Sequence, residues 1–319
     1  MTAPASDCWR FFVCGVFLPS SFTAVAFEKQ SACKINLLLN ILGRRTDGFH
    51  ELETLIYPIH LFDHLTFSRS STQGIHLACS DPRLATDSKN LVYRAASLFL
   101  NAAGIKDGVS LYLQKNIPLA AGLGGGSANA ATTLLGLNDL FGGPLAPGQL
   151  LTLAASLGSD VPFFLQDKPA LATSRGEKIQ PLDFFPAFQD AYFVLIYPGF
   201  GISTAWAYQQ LARFPAALNG QPGRAERLIS LLHGADPRSA GTAFYNSLEA
   251  PAVEKYPLLA LLQEFMRSHG AIGTLLSGSG SSTFALAQSQ AAAHHLLENF
   301  KQKFGDTYWT AIVPGLQKP

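Results

Sequence analysis

Residues Pro118-Leu119-Ala120-Ala121-Gly122-Leu123-Gly124-Gly125-Gly126-Ser127-Ala128-Asn129-Ala130 place four glycines within five positions. Glycine has no Cβ, so backbone N–H groups there can come close to a ligand. Ser127 opens a segment with Ala130, Leu134, Leu137 and Phe141 at helical spacing. A helix starting there points the positive end of its dipole at the same spot. Together these make an anion site, most naturally for a polyphosphate. A plain glycine-rich turn is the alternative, and four glycines with a serine at a helix start argue against it.

Two known phosphate loops do not fit. A Walker A loop needs Gly-Lys-Ser/Thr, and this loop has no lysine. A dinucleotide fingerprint needs G-x-G-x-x-G in a βαβ unit and an acid about 20 residues on. Neither the spacing nor the acid is present.

Two charged residues stand in unusual places. Lys34 lies in an apolar stretch with no other charge between Lys29 and Arg44, and it shares a strand face with Asn36. An unpaired buried charge is costly, so Lys34 either has a partner or snorkels to water from an edge strand. Asp160 follows Gly158-Ser159 and precedes Val161-Pro162. It is a catalytic carboxylate or a turn carboxylate, and the pattern alone leaves both open.

The elements that must position these groups follow from periodicity. Ala32–Ile41 alternates at period two and reads as a strand. Gly43 to Gly48 reads as a turn, with Asp47-Gly48 as its punctuation. Glu51–His60 reads as a second strand, Asp63–Phe67 as part of a third, and Val109–Leu113 as another. Asn90–Ala102, Ser127–Phe141 and Leu150–Leu157 read as helices. Beyond Pro181–Pro186, a plausible boundary, Tyr192–Tyr197 is a strand. Helices follow at Ala205–Arg213, Ala225–Leu232 and Leu258–Ser268. Gly273–Leu276 and Thr283–Leu286 pair around a Gly/Ser loop. Strands and helices interleave through short connections, so the class is α+β, not a doubly wound parallel sheet.

Composition narrows the partners. Hydrophobic residues make up 48% and charged residues 14% of 319, which excludes a disordered chain. The net charge of +1 gives no general basic field for nucleic acid, so a small-molecule partner is expected. No apolar run reaches the ~18–20 residues that span a membrane. Cys8, Cys14, Cys33 and Cys79 form no C-x-x-C pair, so neither a disulfide scaffold nor a structural zinc is expected. His60 and His64 lie four apart but with no glutamate between them, in a segment read as strand and turn, so no metal site is assigned there.

The glycine loop resembles the second signature of the GHMP kinases, the galactokinase–homoserine kinase–mevalonate kinase–phosphomevalonate kinase superfamily. Ala32-Cys33-Lys34-Ile35-Asn36, with Gly43-Arg44-Arg45-Thr46-Asp47-Gly48-Phe49-His50, resembles the first signature of its 4-diphosphocytidyl-2-C-methyl-D-erythritol kinase family. Leu157-Gly158-Ser159-Asp160-Val161-Pro162, Arg175-Gly176-Glu177, Asn246-Ser247-Leu248-Glu249 and Leu276-Ser277-Gly278-Ser279-Gly280 match the same family in order. The departures are Cys33 for Ala, Ala128 for Ser, Phe49 for Tyr and Ser247 for Asp.

The resemblance implies a two-domain α+β fold. Residues 27–185 would form a ribosomal S5 domain 2-like ATP-binding domain, and residues 186–319 a ferredoxin-like domain. It implies ATP as co-substrate with Mg²⁺, and phosphorylation of the 2-hydroxyl of 4-diphosphocytidyl-2-C-methyl-D-erythritol, in the non-mevalonate route to isoprenoid precursors. Asp160 would be the base and Lys34 its charged neighbour. Residues Pro118 to Ala128 would cradle the phosphates. Ser127 would touch Mg²⁺, whose shell is largely water and phosphate oxygen, and no side-chain metal site is assigned. Phe49 and Tyr208 would clamp cytosine, His50 would bond its edge, and Asn36 and Thr204 would line the same site. Asn90 and Lys115 would lie by the adenosine, while Arg44 and Arg45 are read as solvated. Another small-molecule GHMP kinase, or a non-catalytic ATP-binding relative, is the alternative reading. A monomer or homodimer is expected.

Residues 1–26 have no counterpart in the family. Arg10, the apolar Phe11–Leu18 stretch and Ala24-Val25-Ala26 form a weak secretory-signal pattern. An irregular extension is preferred, because the rest of the chain calls for ATP, a cytosolic substrate. The expected location is therefore cytoplasmic.

Overall fold

A computed structural model describes residues 26–234 and 236–315. The N-terminal stretch bearing the signal-like pattern, with Cys8 and Cys14, lies outside the described residues apart from Ala26. In chain order the elements are β1 (Phe27–Arg44), β2 (His50–Ser70), β3 (Ile75–Cys79), α1 (Leu91–Ala103), β4 (Gly108–Gln114), α2 (Gly125–Leu140), α3 (Pro147–Leu157), β5 (Ala170–Ser174), β6 (Lys178–Pro181), β7 (Tyr192–Tyr197), α4 (Thr204–Gln210), α5 (Pro215–Leu218), α6 (Arg224–His233), α7 (Pro237–Gly241), β8 (Tyr245–Asn246), α8 (Glu249–Lys255), α9 (Leu258–Ser268), β9 (Gly273–Leu276), β10 (Thr283–Ala287), α10 (Gln290–Phe304) and β11 (Trp309–Pro314).

The first sheet runs β3-β4-β2-β1-β8, with β5 also paired to β2 and β6 to β5. The second runs β11-β7-β10-β9 with all neighbours antiparallel. Counting its strands in chain order gives 4-1-3-2, the split βαβ order of the ferredoxin-like fold. The expected α+β class is what the molecule has.

β2 is one strand of 21 residues, not two. Cys33 pairs with Ile59 and Ala32 with Phe62, so His60 and Leu61 have no partner on β1. That excess breaks the alternation that a sequence reading relies on, and so mimics a turn. His64 pairs with Glu28 at 2.8 Å. Several elements were not read from the sequence: β3, β5, β6, β8, β11, α10 and the short helices α5, α7 and α8. For α10 the signal existed, since Ala293, Leu296 and Phe300 share one buried face.

The layers stack in order. α1, α2 and α3 pack on Leu65, Phe67, Val109, Leu111 and Leu113 of the first sheet. The other side of β1 and β2 packs Ile35, Leu37 and Tyr57 against Phe193 and Phe284 of the second sheet. α9 and α10 cover that sheet's outer face through Leu262, Met266, Leu296 and Phe300. The core is continuous through the expected 185/186 boundary, because Phe185 and Phe188 are buried in it. β8, from beyond that boundary, pairs parallel with Leu38 and Leu39 of β1.

Candidate active site

A cleft of about 940 Å³ opens where the two sheets meet. Lys34, Asn36, Gly122, Gly124, Asp160 and Gly278 line it together with Phe49, His50, Thr204 and Tyr208. The catalytic and acceptor-site candidates named from the sequence therefore share one cavity.

β1 supplies the floor through a bulge. Asn36 pairs with Ile56 and Leu38 with Leu55, which leaves Leu37 as an extra residue. Leu37 and Leu38 both enter the inter-sheet core with Cys33 and Ile35. The parity change turns Lys34, Asn36 and Leu39 to the cleft. A chain of hydrogen bonds fixes the first two. Lys34 Nζ donates to Asn36 Oδ1 at 2.5 Å, Asn36 Nδ2 to Thr54 Oγ1 at 2.9 Å, and Thr54 Oγ1 to the Leu38 carbonyl at 2.6 Å. Thr54 is a member of this chain that sequence reasoning missed, for it carried no motif.

Asp160 sits in the turn after α3. Gly158 caps the helix and donates its N–H to the Ala154 carbonyl. The Asp160 carboxylate lies 4.0 Å from Lys34 Nζ, with the lysine side chain 5% exposed and the aspartate 52%. Burial lowers the pKa of Lys34, and the charge of Asp160 opposes that shift.

The glycine loop is held by its own carbonyls. Lys34 N–H donates to Leu123 O, Ser282 N–H to Ala121 O, Ser277 Oγ to Gly122 O and the Tyr197 hydroxyl to Leu119 O. The first bond of α2 is donated by Ala128 to Gly124 O, so the N–H groups of Gly125, Gly126 and Ser127 precede the ladder. Gly122 and Gly124 have positive φ, at 80° and 73°. A Cβ on Gly122 would meet the Ser277 carbonyl at 2.2 Å, and one on Gly124 the Lys34 Cε at 3.1 Å. These two glycines thus serve close packing of the loop on the protein. Gly126 is the exposed one, with only Leu91 near a Cβ built there. Ala121, Leu123, Gly125 and Ala128 are buried, while Pro118, Leu119 and Ser127 are partly buried. Of the loop, Ala120, Gly122 and Gly124 line the cleft.

The His50 and Tyr208 rings lie 5.1 Å apart at 35°. Burial, with the nearby Arg44 charge second, lowers the pKa of His50, which favours the neutral imidazole. Burial, with Asp160 second, pushes the Tyr208 phenol up. Phe49 is 54% exposed, and the Arg175 guanidinium stands 4.7 Å over its ring. Arg45 is not merely solvated. It donates to Glu51 at 2.5 Å and to Ser174 at 3.1 Å, which braces the β1–β2 turn against the end of β5. Arg44 lines the cleft.

Lys115 and Asn90 both have partners within the protein. Lys115 forms a buried ion pair with Asp63, and Asp63 also accepts from Asn116 N, Ile117 N and Asn129 Nδ2. Asn90 caps α1 by accepting from Val92 N–H. The strand–loop–strand around Gly278 was legible as a Gly/Ser loop, but its place against Lys34 was not. A Cβ on Gly278 would lie 3.3 Å from Lys34 Nζ. Ser279 Oγ lies 2.9 Å from Thr204 Oγ1, which fixes that hydroxyl at the cleft.

Among the described residues no three His, Cys, Asp or Glu side chains converge as a metal-binding group, and no helix is long and apolar enough to cross a membrane.

The chain matches the GHMP kinases N terminal domain over residues 90–168 and the GHMP kinases C terminal domain over residues 214–306. It is 38% identical over 284 residues to a 4-diphosphocytidyl-2-C-methyl-D-erythritol kinase of Syntrophotalea carbinolica, covering 88% of this chain and 95% of that one. It is 40% identical over 296 residues to the protein of the same name from Synechocystis, covering 88% and 93%. Among solved structures it resembles a 4-(cytidine 5'-diphospho)-2C-methyl-D-erythritol kinase at 35% identity, with a TM-score of 0.73 over 91% of this chain and 100% of that one. A homoserine kinase from Cytophaga hutchinsonii, at 20% identity and a TM-score of 0.70 over 94% and 98%, shares the fold.

Proposed function

The chain belongs to the GHMP kinases, in the 4-diphosphocytidyl-2-C-methyl-D-erythritol kinase family, and from that premise we propose that it moves the γ-phosphoryl group of ATP to the 2-hydroxyl of 4-diphosphocytidyl-2-C-methyl-D-erythritol. The observation that carries this reading is the meeting of Lys34, Asp160, Gly122 and Gly124 in one cleft that His50, Tyr208 and Phe49 also line.

The acceptor hydroxyl lies between Asp160 and the terminal phosphate, and Asp160 takes its proton. The buried Lys34 ammonium, 4.0 Å from that carboxylate, holds positive charge at the reaction site and stabilises the developing oxyanion. Phosphoryl transfer passes through a loose transition state, so positioning and charge neutralisation outweigh proton abstraction. The free N–H groups of Gly125, Gly126 and Ser127, at the positive end of α2, face the phosphates. A magnesium ion would arrive on the phosphates with water in most of its shell. Ser127 would hold that ion, which supplies charge neutralisation when bound.

Phe49 and Tyr208 face the cytosine, the neutral His50 bonds its edge, and Asn36 and Thr204 line the route between base and hydroxyl. Residues 27–185 carry the ATP site and residues 186–319 close the cleft from the other side. A coupled ADP-release assay with the cytidyl substrate tests the reading. Turnover that needs both ATP and the cytidyl compound is expected. Equal turnover with methylerythritol phosphate alone would overturn the nucleotide requirement.

A further inference from the structure

Asn246 has no part in the chemistry described so far, yet it sits where three parts of the site join. It is 3% exposed. Its Nδ2 donates to two carbonyls, Leu276 O at 2.8 Å and Gly278 O at 2.7 Å. Its Oδ1 accepts from Leu248 N–H at 2.9 Å. The residue itself is in β8 and pairs with Leu39 of β1.

Each bond leads to the reacting end of the cleft. β1 carries Lys34 and Asn36. The segment held by Asn246 carries Gly278, where a Cβ would lie 3.3 Å from Lys34 Nζ and 3.5 Å from Asn36 Oδ1. The same segment holds the glycine loop, through Ser277 Oγ to Gly122 O at 3.0 Å and Ser282 N to Ala121 O at 3.0 Å. Neighbours reinforce the junction. Ser247 Oγ accepts from Ile41 N at 3.0 Å, and Glu249 Oε1 accepts from Leu276 N at 2.7 Å.

A buried amide that uses both of its donor bonds on one loop fixes that loop's height over β1. An apolar residue would leave two buried carbonyls without a donor. Small errors in such a spacing cost rate more than binding, because near-attack geometry is sensitive to about 1 Å.

We propose that Asn246 is a positioning residue. It sets the distance between the phosphate-side loop and the acceptor strand by tying the Leu276–Gly278 segment to β1. This rests on the reading that Lys34 and the glycine loop form the reaction site.

The test is steady-state kinetics of Asn246→Ala and Asn246→Ser, with Lys34→Ala alongside, each checked by circular dichroism at the assay temperature. Asn246→Ala is expected to lower kcat at least tenfold with both KM values within about threefold. Asn246→Ser, which keeps one donor, is expected to fall between Ala and wild type. The proposal is overturned if kcat stays within threefold of wild type, if the loss falls on KM instead, or if both variants are unfolded at the assay temperature. In that last case Asn246 serves stability alone. Full activity of Lys34→Ala would instead overturn the site reading, whatever Asn246 does.

Discussion

The Lys34 ammonium lies 4.0 Å from the Asp160 carboxylate but gives its short hydrogen bond, 2.5 Å, to Asn36. The two charges therefore attract without being locked together. The lysine is buried and the aspartate half-exposed, so the pair presents its open side to the cleft. A pair made for stability would be closed by direct bonds, as Lys115 and Asp63 are inside the N-terminal half. An open pair leaves Lys34 donors and an Asp160 oxygen for a third group.

Asp160→Asn should keep the fold and ATP affinity and lose most turnover. The side chain is at the surface of a turn, so little packing depends on it. The measurement is kcat with the cytidyl substrate, together with nucleotide binding by calorimetry. A mutant that keeps more than about a third of wild-type kcat has lost well under the ~1.4 kcal/mol of a tenfold effect, and Asp160 is then not the base. The double mutant with Lys34→Ala should lose little more than the worse single one, since paired groups act as a unit.

The pH profile gives a second test. Burial puts the pKa of Lys34 below its ordinary value of 10.5, and Asp160 pulls it back up. If turnover needs the ammonium, kcat falls as pH rises through that lowered value. Asp160→Asn removes the upward pull, so the basic limb of its residual activity should move to lower pH. A limb that stays fixed or moves upward means that another group titrates.

The loop glycines separate into two kinds. Gly124→Ala places a Cβ 2.8 Å from the Phe164 ring and 3.1 Å from Lys34 Cε, at a φ of 73°. The left-handed backbone alone costs an alanine ~1–2 kcal/mol. This variant should lose both stability and kcat, by displacing Lys34. Gly126→Ala meets nothing closer than 3.7 Å and lies in the first turn of α2. It should be as stable as wild type or gain up to about 1 kcal/mol. A rise in ATP KM for Gly126→Ala, with melting temperature unchanged or higher, would come from the ligand and not from the fold. An unchanged ATP KM would remove Gly126 from the phosphate site.

These contrasts also mark what was legible beforehand. The glycine loop, Lys34, Asp160 and the Phe49-His50 turn declared themselves by residue type against their surroundings. The strand pair around Gly278 and the helix at Leu258–Ser268 declared themselves by period. What stayed hidden depends on register and on distant pairing. The bulge at Leu37 and the excess at His60-Leu61 shift parity, which no alternation count contains. The pairing of Lys115 with Asp63 left no local signal, because the two lie 52 residues apart. Arg45 looked solvated because Ser174, which it bonds, is 129 residues distant. β8 is two residues long and has no period at all.

The base end of the cleft carries the most discriminating test. A kinase for a bare sugar or amino alcohol has no use for aromatic residues and a neutral imidazole beyond the acceptor hydroxyl. Phe49 is a large apolar ring left 54% exposed at the mouth, with Arg175 over it. That is costly unless something covers the ring during turnover. Loss of one stacked face to alanine is worth ~1–3 kcal/mol, or roughly 5- to 150-fold. Phe49→Ala and Tyr208→Ala should each raise the cytidyl-substrate KM by that range and leave ATP KM nearly unchanged. In the proposed reaction the base takes no part in phosphoryl transfer, so its binding is expected to be close to uniform between ground and transition states. Phe49→Tyr should be mild, since the ring remains. His50→Ala should in addition weaken discrimination of cytosine from uracil, because a hydrogen bond to one edge reads as specificity. Since Tyr208 packs on His50 at 5.1 Å, the Tyr208→Ala and His50→Ala effects should be less than additive. Kinetics with cytidyl and uridyl forms of the methylerythritol diphosphate decide it. No KM change in any of the three alanine variants would dismiss the cytosine clamp while leaving the kinase standing.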